Sequence, residues 1–289
     1  MKIKFFKILT LFLLLIFNIF LFLNFSYLKK QNEFEIDFLD VGQGNGILIK
    51  YQGLNFLIDS GKELYARKTL YKNLSFFDRN IDFAFASHYD FDHVGNFIDY
   101  FQKYKISYFF RNGKVSKAPV YDELLKLSQK NKIKSIDLVA GDILKINKDF
   151  YIKVLFPEKN INKNKLRDND SSLVLQIFYK DKKFLITGDS PKKIEKWLVE
   201  KYGEELKSDI LLAGHHGSKT SSSEIFLKTV SPKLIIFSAG KDNPYHHPNK
   251  SVLDLVKKLK IPYLITYNTG TIKEIFNGEK WERILEKYK

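Results

Sequence analysis

An α/β architecture, two sheets packed face to face with helices outside, is predicted by three features of this 289-residue sequence. Short apolar runs of strand length occur in both halves of the chain, amphipathic runs of helix length fall between them, and Gly-containing turn signals punctuate the series. The balance of 44% hydrophobic and 28% charged residues is that of an ordinary globular protein, which excludes disordered and collagen-like chains.

Strands are predicted at 34–41, 46–51 and 55–59, joined by Gly42-Gln43-Gly44-Asn45-Gly46 and Gln52-Gly53, so the body opens as a meander. A helix over 64–74 follows, then a buried strand at 82–87, a helix over 94–104, a strand at 107–110 and a helix over 121–131. The second half repeats the style with strands at 151–156, 172–179, 183–187, 209–213, 234–238 and 263–267. Helices fall at 191–202, where Pro191 after Asp189-Ser190 suits a first turn, and at 224–229 and 251–259. The polar segment 158–169, rich in Lys and Asn, reads as a surface loop.

Residues 8–28 are apolar except for Thr10, Asn18, Asn24 and Ser26, a run long enough to cross a hydrocarbon core as a helix. Its length and the lack of an A-x-A-like exit favour an uncleaved signal anchor over a cleaved signal peptide. Lys2, Lys4 and Lys7 precede it and Lys29 and Lys30 follow, so the heavier positive cluster places the N-terminus in the cytoplasm and the body outside. The expected organisation is an anchor at 1–30 and one globular domain at 31–289, a single-pass protein of the cell membrane. A net charge of +15 suits a polyanionic ligand or an anionic membrane, although the lysines are spread along the chain. With no Cys, thiolate catalysis, iron–sulfur clusters and Cys-based zinc sites are excluded, and any metal must be held by His and carboxylate.

The six His occur as three close pairs, His88 with His93, His215 with His216, and His246 with His247. Each pair follows a strand-like run or the loop leaving one, where side chains of a two-layer fold project into a common crevice. Within Ser87-His88-Tyr89-Asp90-Phe91-Asp92-His93-Val94-Gly95, four imidazole and carboxylate groups lie close enough to serve two divalent ions. Asp189 leaves the end of another buried strand, where it either caps the next helix or bridges the ions. The local sequence leaves both roles open.

Taken together with Phe38-Leu39-Asp40-Val41-Gly42-Gln43-Gly44, Leu57-Ile58-Asp59-Ser60-Gly61, Leu185-Ile186-Thr187-Gly188-Asp189, Gly214-His215-His216-Gly217-Ser218-Lys219-Thr220 and Pro244-Tyr245-His246-His247-Pro248, this loop resembles the metallo-β-lactamase superfamily. More closely, residues 34–276 resemble the hydrolase domain of ComEC-type competence proteins, a family that supports DNA uptake. The resemblance implies a metallo-β-lactamase-like αββα sandwich with two divalent metal ions, manganese or zinc, at one edge of the sheets. It implies that His88 and Asp90 bind one ion, that Asp92, His93 and His216 bind the other, and that Asp189 bridges them. Asp90 stands where the wider superfamily usually has His, and carboxylate oxygen there favours manganese over zinc. Asn45 replaces an expected Asp, Gly95-Asn96 replaces Gly-Gly, the superfamily's third-motif His has no counterpart, and one anchor replaces the many-span channel region. Near the missing His, Asp170 or Ser172 is left to orient ligands or substrate.

Paired ions would lower the pKa of a shared water and clamp the oxygens of a phosphodiester. Asp92 or Asp189 is then expected to orient the water or take its proton, and His215 or His247 to protonate the leaving oxygen or contact the phosphate. Ser218, Lys219 and Thr220 either steady an anionic substrate or cap the next helix. Asp40 and Asp59 are expected to fix imidazoles rather than bind ions. The expected activity is membrane-anchored, metal-dependent hydrolysis of DNA, with a small-molecule hydrolase of a lactone, a β-lactam or a phosphorylcholine ester as the alternative.

Overall fold

In the strands of the computed structural model, burial follows what covers each face. The model describes residues 7, 10–22, 33–74 and 80–286. Strands β1 (Phe34–Phe38), β2 (Ile47–Tyr51), β3 (Leu54–Ile58), β4 (Asn80–Phe85), β5 (Lys105–Arg111), β6 (Lys134–Asp137), β14 (Thr271–Phe276) and β15 (Trp281–Glu286) form one sheet, ordered β15-β14-β1-β2-β3-β4-β5-β6. A second sheet runs β13-β12-β11-β10-β9-β8-β7, from β7 (Ile143–Lys145), β8 (Phe150–Phe156), β9 (Val174–Tyr179), β10 (Lys182–Ile186), β11 (Ile210–Leu212), β12 (Leu234–Phe237) and β13 (Tyr263–Ile265). Phe34, Ile36, Ile49, Phe56, Ile152, Ile177 and Ile236 interdigitate between the sheets, and Phe34 stacks on Tyr179 with ring centroids 4.2 Å apart.

On the outer face of the first sheet, Leu48, Leu57, Ala84 and Phe109 pack against helices α1 (Leu64–Asn73), α3 (Phe97–Lys103) and α4 (Pro119–Lys130). Leu185, Leu211, Ile235 and Phe237 do the same on the second sheet against α5 (Lys192–Tyr202), α6 (Glu224–Val230) and α7 (Lys250–Lys258). Three apolar layers therefore make the predicted αββα sandwich. Strands covered on both faces read as continuous apolar runs, whereas β1 alternates, with the half-buried Glu35 and the fully buried Asp37 on its other face meeting Lys50 at 2.8 and 3.3 Å.

Strands β6, β7, β14 and β15 are absent from the sequence reading. Two of them, β6 (Lys-Ser-Ile-Asp) and β15 (Trp-Glu-Arg-Ile-Leu-Glu), carry charge where an apolar face would announce a strand, and they exist by pairing with β5 and β14 at the sheet edge. The single helix expected over 94–104 is instead two, a one-turn α2 (Phe91–Val94) and α3, with Gly95 and Asn96 between. Pro191 sits at the N-cap of α5 rather than inside its first turn. Segment 158–169 is loop apart from short 3-10 turns, as expected.

Residues 10–22 are helical and expose apolar side chains such as Phe12, Leu15 and Phe20. Among the described residues no helix is long and apolar enough to cross a membrane. Most of the flanks of the expected anchor, 8–9 and 23–28, lie outside the described residues.

Candidate metal centre

Parallel strands β4, β10 and β11 all end at one edge of the sandwich, and the loops leaving them carry the predicted donors. His88 and Asp90 follow β4, Asp92 and His93 ride on α2, Asp189 follows β10, and His215 and His216 form a 3-10 turn after β11. The loop after β12 brings His247 to the same edge, with ring centroids 5.5 Å from His215 and 6.3 Å from His216. His246 stays exposed, so five of the six His converge.

The carboxylate of Asp189, 2% exposed, occupies the middle. Its Oδ1 lies 3.1 Å from His93 Nε2 and 3.7 Å from His216 Nε2, and its Oδ2 lies 3.9 Å from His88 Nε2 and 3.6 Å from His215 Nε2. Around Oδ1, His216 Nε2 also meets Asp92 Oδ2 at 3.4 Å; around Oδ2, His88 Nε2 meets Asp90 Oδ2 at 3.4 Å. Donor atoms bound about 2.1 Å from one ion stand about 3–3.5 Å apart, which is the scale of these edges. Helix α5 takes no side-chain cap, so the capping role left open for Asp189 is not the one it plays.

Whether these groups suit ions is answered by their unmet valence. Nε2 of His88, His93 and His216 and Oδ1 of Asp189 are buried without a hydrogen-bond partner, an arrangement that costs stability unless a ligand completes it. The far nitrogens are all engaged. His93 Nδ1 bonds Asp59 Oδ2 at 2.7 Å, His216 Nδ1–H donates to the Ser238 carbonyl at 3.0 Å, and His88 Nδ1 meets Ser87 Oγ at 3.0 Å and Ser172 Oγ at 3.4 Å. Each contact turns Nε2 inward, as outer partners do in metal sites.

Asp59 thus takes the orienting role expected of it, and also accepts from the Ser87 N–H and hydroxyl, both at 2.8 Å. Asp40 does not: its carboxylate accepts from Gly42 N–H and the Tyr65 hydroxyl and braces the 42–46 turn. Ser172 reaches the site, accepting the Asp189 N–H at 3.1 Å, while Asp170 is taken up by Arg167 and Lys193. Thr220 Oγ1 lies 3.3 Å from His215 Nδ1, and helix α6 begins after Ser223, so Ser218, Lys219 and Thr220 cap nothing there. Ser87 and Ser238 went unnoticed in the sequence; Ser87 had one signal, its place immediately before His88.

Backbone shape makes the crevice tight. Residues His215 (φ 49°) and His216 (φ 56°) are both left-handed, a strained turn that sets their rings on different sides of Asp189. Gly44 admits no side chain, because a Cβ there would lie 2.0 Å from the Asp92 carbonyl oxygen. That contact, and the Ser238 hydroxyl donating to Gly44 O at 2.7 Å, pins the 42–46 turn between the two halves of the site.

Burial opposes charge on His93, but Asp189 and Asp59 raise its imidazole well above the usual range. Burial likewise opposes Asp189, yet His93 and His216 hold it well below the carboxylate range. His216 and His93 lower Asp92 against its burial, and the His88 contact lowers Asp90. His247 is pushed down to about 4 by burial and by His216 and His215, and burial lowers His215 too. With its ring held that low, His247 is neutral at neutral pH and offers a hydrogen bond rather than a proton. An ion needs the neutral His93 ring, so a proton competes with it, and binding tightens as pH rises. Metal binding at neutral pH is expected to release about one proton per chain from His93. Calorimetric heats that do not change between buffers of different ionisation enthalpy would contradict this.

The fold and this donor set define a metal-dependent hydrolase of metallo-β-lactamase fold. The metallo-beta-lactamase superfamily pattern matches residues 39–240, and the chain belongs to that superfamily. ComE operon protein 3 of Bacillus subtilis is 32% identical over 271 residues, 88% of this chain and 34% of that protein. Competence protein ComA of Neisseria gonorrhoeae is 31% identical over 244 residues, 84% of this chain and 32% of that protein. The chain thus spans about a third of the length of these relatives. Among solved structures, the metallo-beta-lactamase fold protein YhfI from Bacillus subtilis shares the fold, with a TM-score of 0.56 and 11% identity over 83% of this chain and 99% of that one.

Proposed function

We propose that the chain is a membrane-anchored phosphodiesterase that cuts DNA outside the cytoplasm, using two divalent ions, manganese before zinc. The observation that carries this reading is the position of Asp189 among two overlapping donor clusters that share His93, namely His88 with His93 and Asp189, and Asp92 with His93 and His216. His88 and Asp90 would hold one ion beside Oδ2, and Asp92, His93 and His216 the other beside Oδ1. When bound, such a pair supplies a water of lowered pKa and neutralises the oxygens of an in-line displacement at phosphorus. Asp92 and Asp189 would orient that water and accept its proton. The neutral His247 ring, beside His215, would hydrogen-bond a phosphate oxygen or the leaving oxygen. DNA as substrate is supported by the competence proteins among the relatives and by the basic chain. The apolar run at 8–28 supports the anchor.

The test is the full chain in detergent, stripped of metal, reloaded with manganese or zinc, and given labelled single- and double-stranded DNA beside nitrocefin, a lactone and a phosphorylcholine ester. Manganese-dependent cutting of single strands is expected. Turnover of a small ester without cutting would replace this reading by the small-molecule one. The anchor predicts that the chain stays with membranes through an alkaline wash, and release into the supernatant would remove it.

A further inference from the structure

An apolar groove of about 480 Å³ opens directly beside the candidate metal centre, lined by Tyr89, Asp90, Phe91, Ile98, Pro119 and Glu123 among others. We infer that this groove is a base-stacking subsite, in which the Phe91 ring receives the face of an unpaired nucleobase one nucleotide away from a phosphate held at the His–Asp centre. The inference rests on the nuclease reading and names how that site would recognise single strands.

Phe91 is the anomaly that motivates it. The residue lies between two candidate ligands, Asp90 and Asp92, yet its side chain is 54% exposed, while Val94, Phe97 and Phe101 in the same segment are buried. A large aromatic left in water at the lip of a site marks a contact surface rather than core. Its ring lies close over Gly95, where a Cβ would stand only 3.0 Å from Phe91 Cε2. Tyr89, which also lines the groove, is buried and packs edge-on against Tyr121 at a centroid distance of 4.7 Å. The groove is preformed, of ligand-site size, and shares Asp90 with the metal centre.

Charge chooses the occupant. Apart from Asp90, which faces the metal centre, the charged group in the lining is Glu123, a carboxylate that repels phosphate but accepts hydrogen bonds from exocyclic amines of bases. This lining favours a base over the phosphate backbone. Stacking of this kind tolerates any base and requires that it be unpaired.

The full chain, wild type or carrying Phe91→Ala or Phe91→Trp, is titrated with a phosphorothioate single strand bearing one 2-aminopurine, alongside metal analysis of each variant. The wild type and Phe91→Trp are expected to quench the probe; Phe91→Ala is expected to lose the quench and bind about tenfold more weakly, the loss of one stacked base. On cleavable DNA with manganese, Phe91→Ala should raise KM at unchanged kcat, and on an abasic strand it should behave as wild type. Equal binding by all three proteins, or equal losses on normal and abasic strands, would overturn the subsite while leaving the nuclease intact. If the wild type neither binds nor cuts any strand but hydrolyses a small ester, both readings fall together.

Discussion

Asp189→Asn is expected to lower hydrolytic turnover by at least roughly a thousandfold, about 4 kcal/mol of lost transition-state stabilisation. The amide keeps the size of the carboxylate, so the surrounding β10 and β11 strands have no cavity to fill. What changes is charge at the one point touched by four imidazoles. An amide nitrogen turned toward either side would present N–H groups to Nε2 atoms or to an ion, and only one oxygen would remain to serve two donor sets. Metal content per chain should therefore fall together with rate, which separates loss of the centre from loss of a proton acceptor. A variant that keeps full metal content and wild-type rate would remove Asp189 from the middle of the mechanism.

The centre was readable from sequence to the extent that its chemistry is local. His88, Asp90, Asp92 and His93 fall within six residues, and clustering of scarce His in three pairs marked the other segments. Central strands were equally plain, because Ile210–Leu212 and Leu234–Phe237, buried on both faces, leave no polar position to confuse the period. Edge strands were not, since the polar β6 and β15 owe their state to a neighbour, and pairing energy is invisible in a window of residues. The supporting contacts were hidden for the same reason. Ser238 lies 22 residues from the His216 it orients, and its partner atom is a backbone carbonyl, which no side-chain pattern announces. Local reading also could not decide between cap and bridge for Asp189, because both need a carboxylate after a strand; the fold decides by the direction in which the chain leaves β10.

His93→Ala is expected to abolish turnover, and the structure adds a stability cost that the sequence alone does not suggest. His93 stands between Asp59 at 2.7 Å and Asp189 at 3.1 Å, with all three side chains at most 3% exposed. In the metal-free protein its raised pKa makes it the cation that pairs both carboxylates. The sign follows from the shifts: the His93 contribution is complete below its ordinary 6.5 and is lost as pH rises through its higher folded value, while that of Asp189 is complete above its ordinary 3.8 and is lost as pH falls. Removing the imidazole leaves two buried carboxylates facing one another, a change that costs about 3–5 kcal/mol and lowers Tm by roughly 6–15 °C. If stranded charge is the cause, adding Asp59→Asn to His93→Ala should recover part of the lost Tm and none of the activity, because the amide relieves repulsion without restoring a donor. Thermal melts of the metal-free proteins near pH 6 are the check. A double variant no more stable than His93→Ala would mean that the stranded Asp59 carboxylate is not the source of the lost stability.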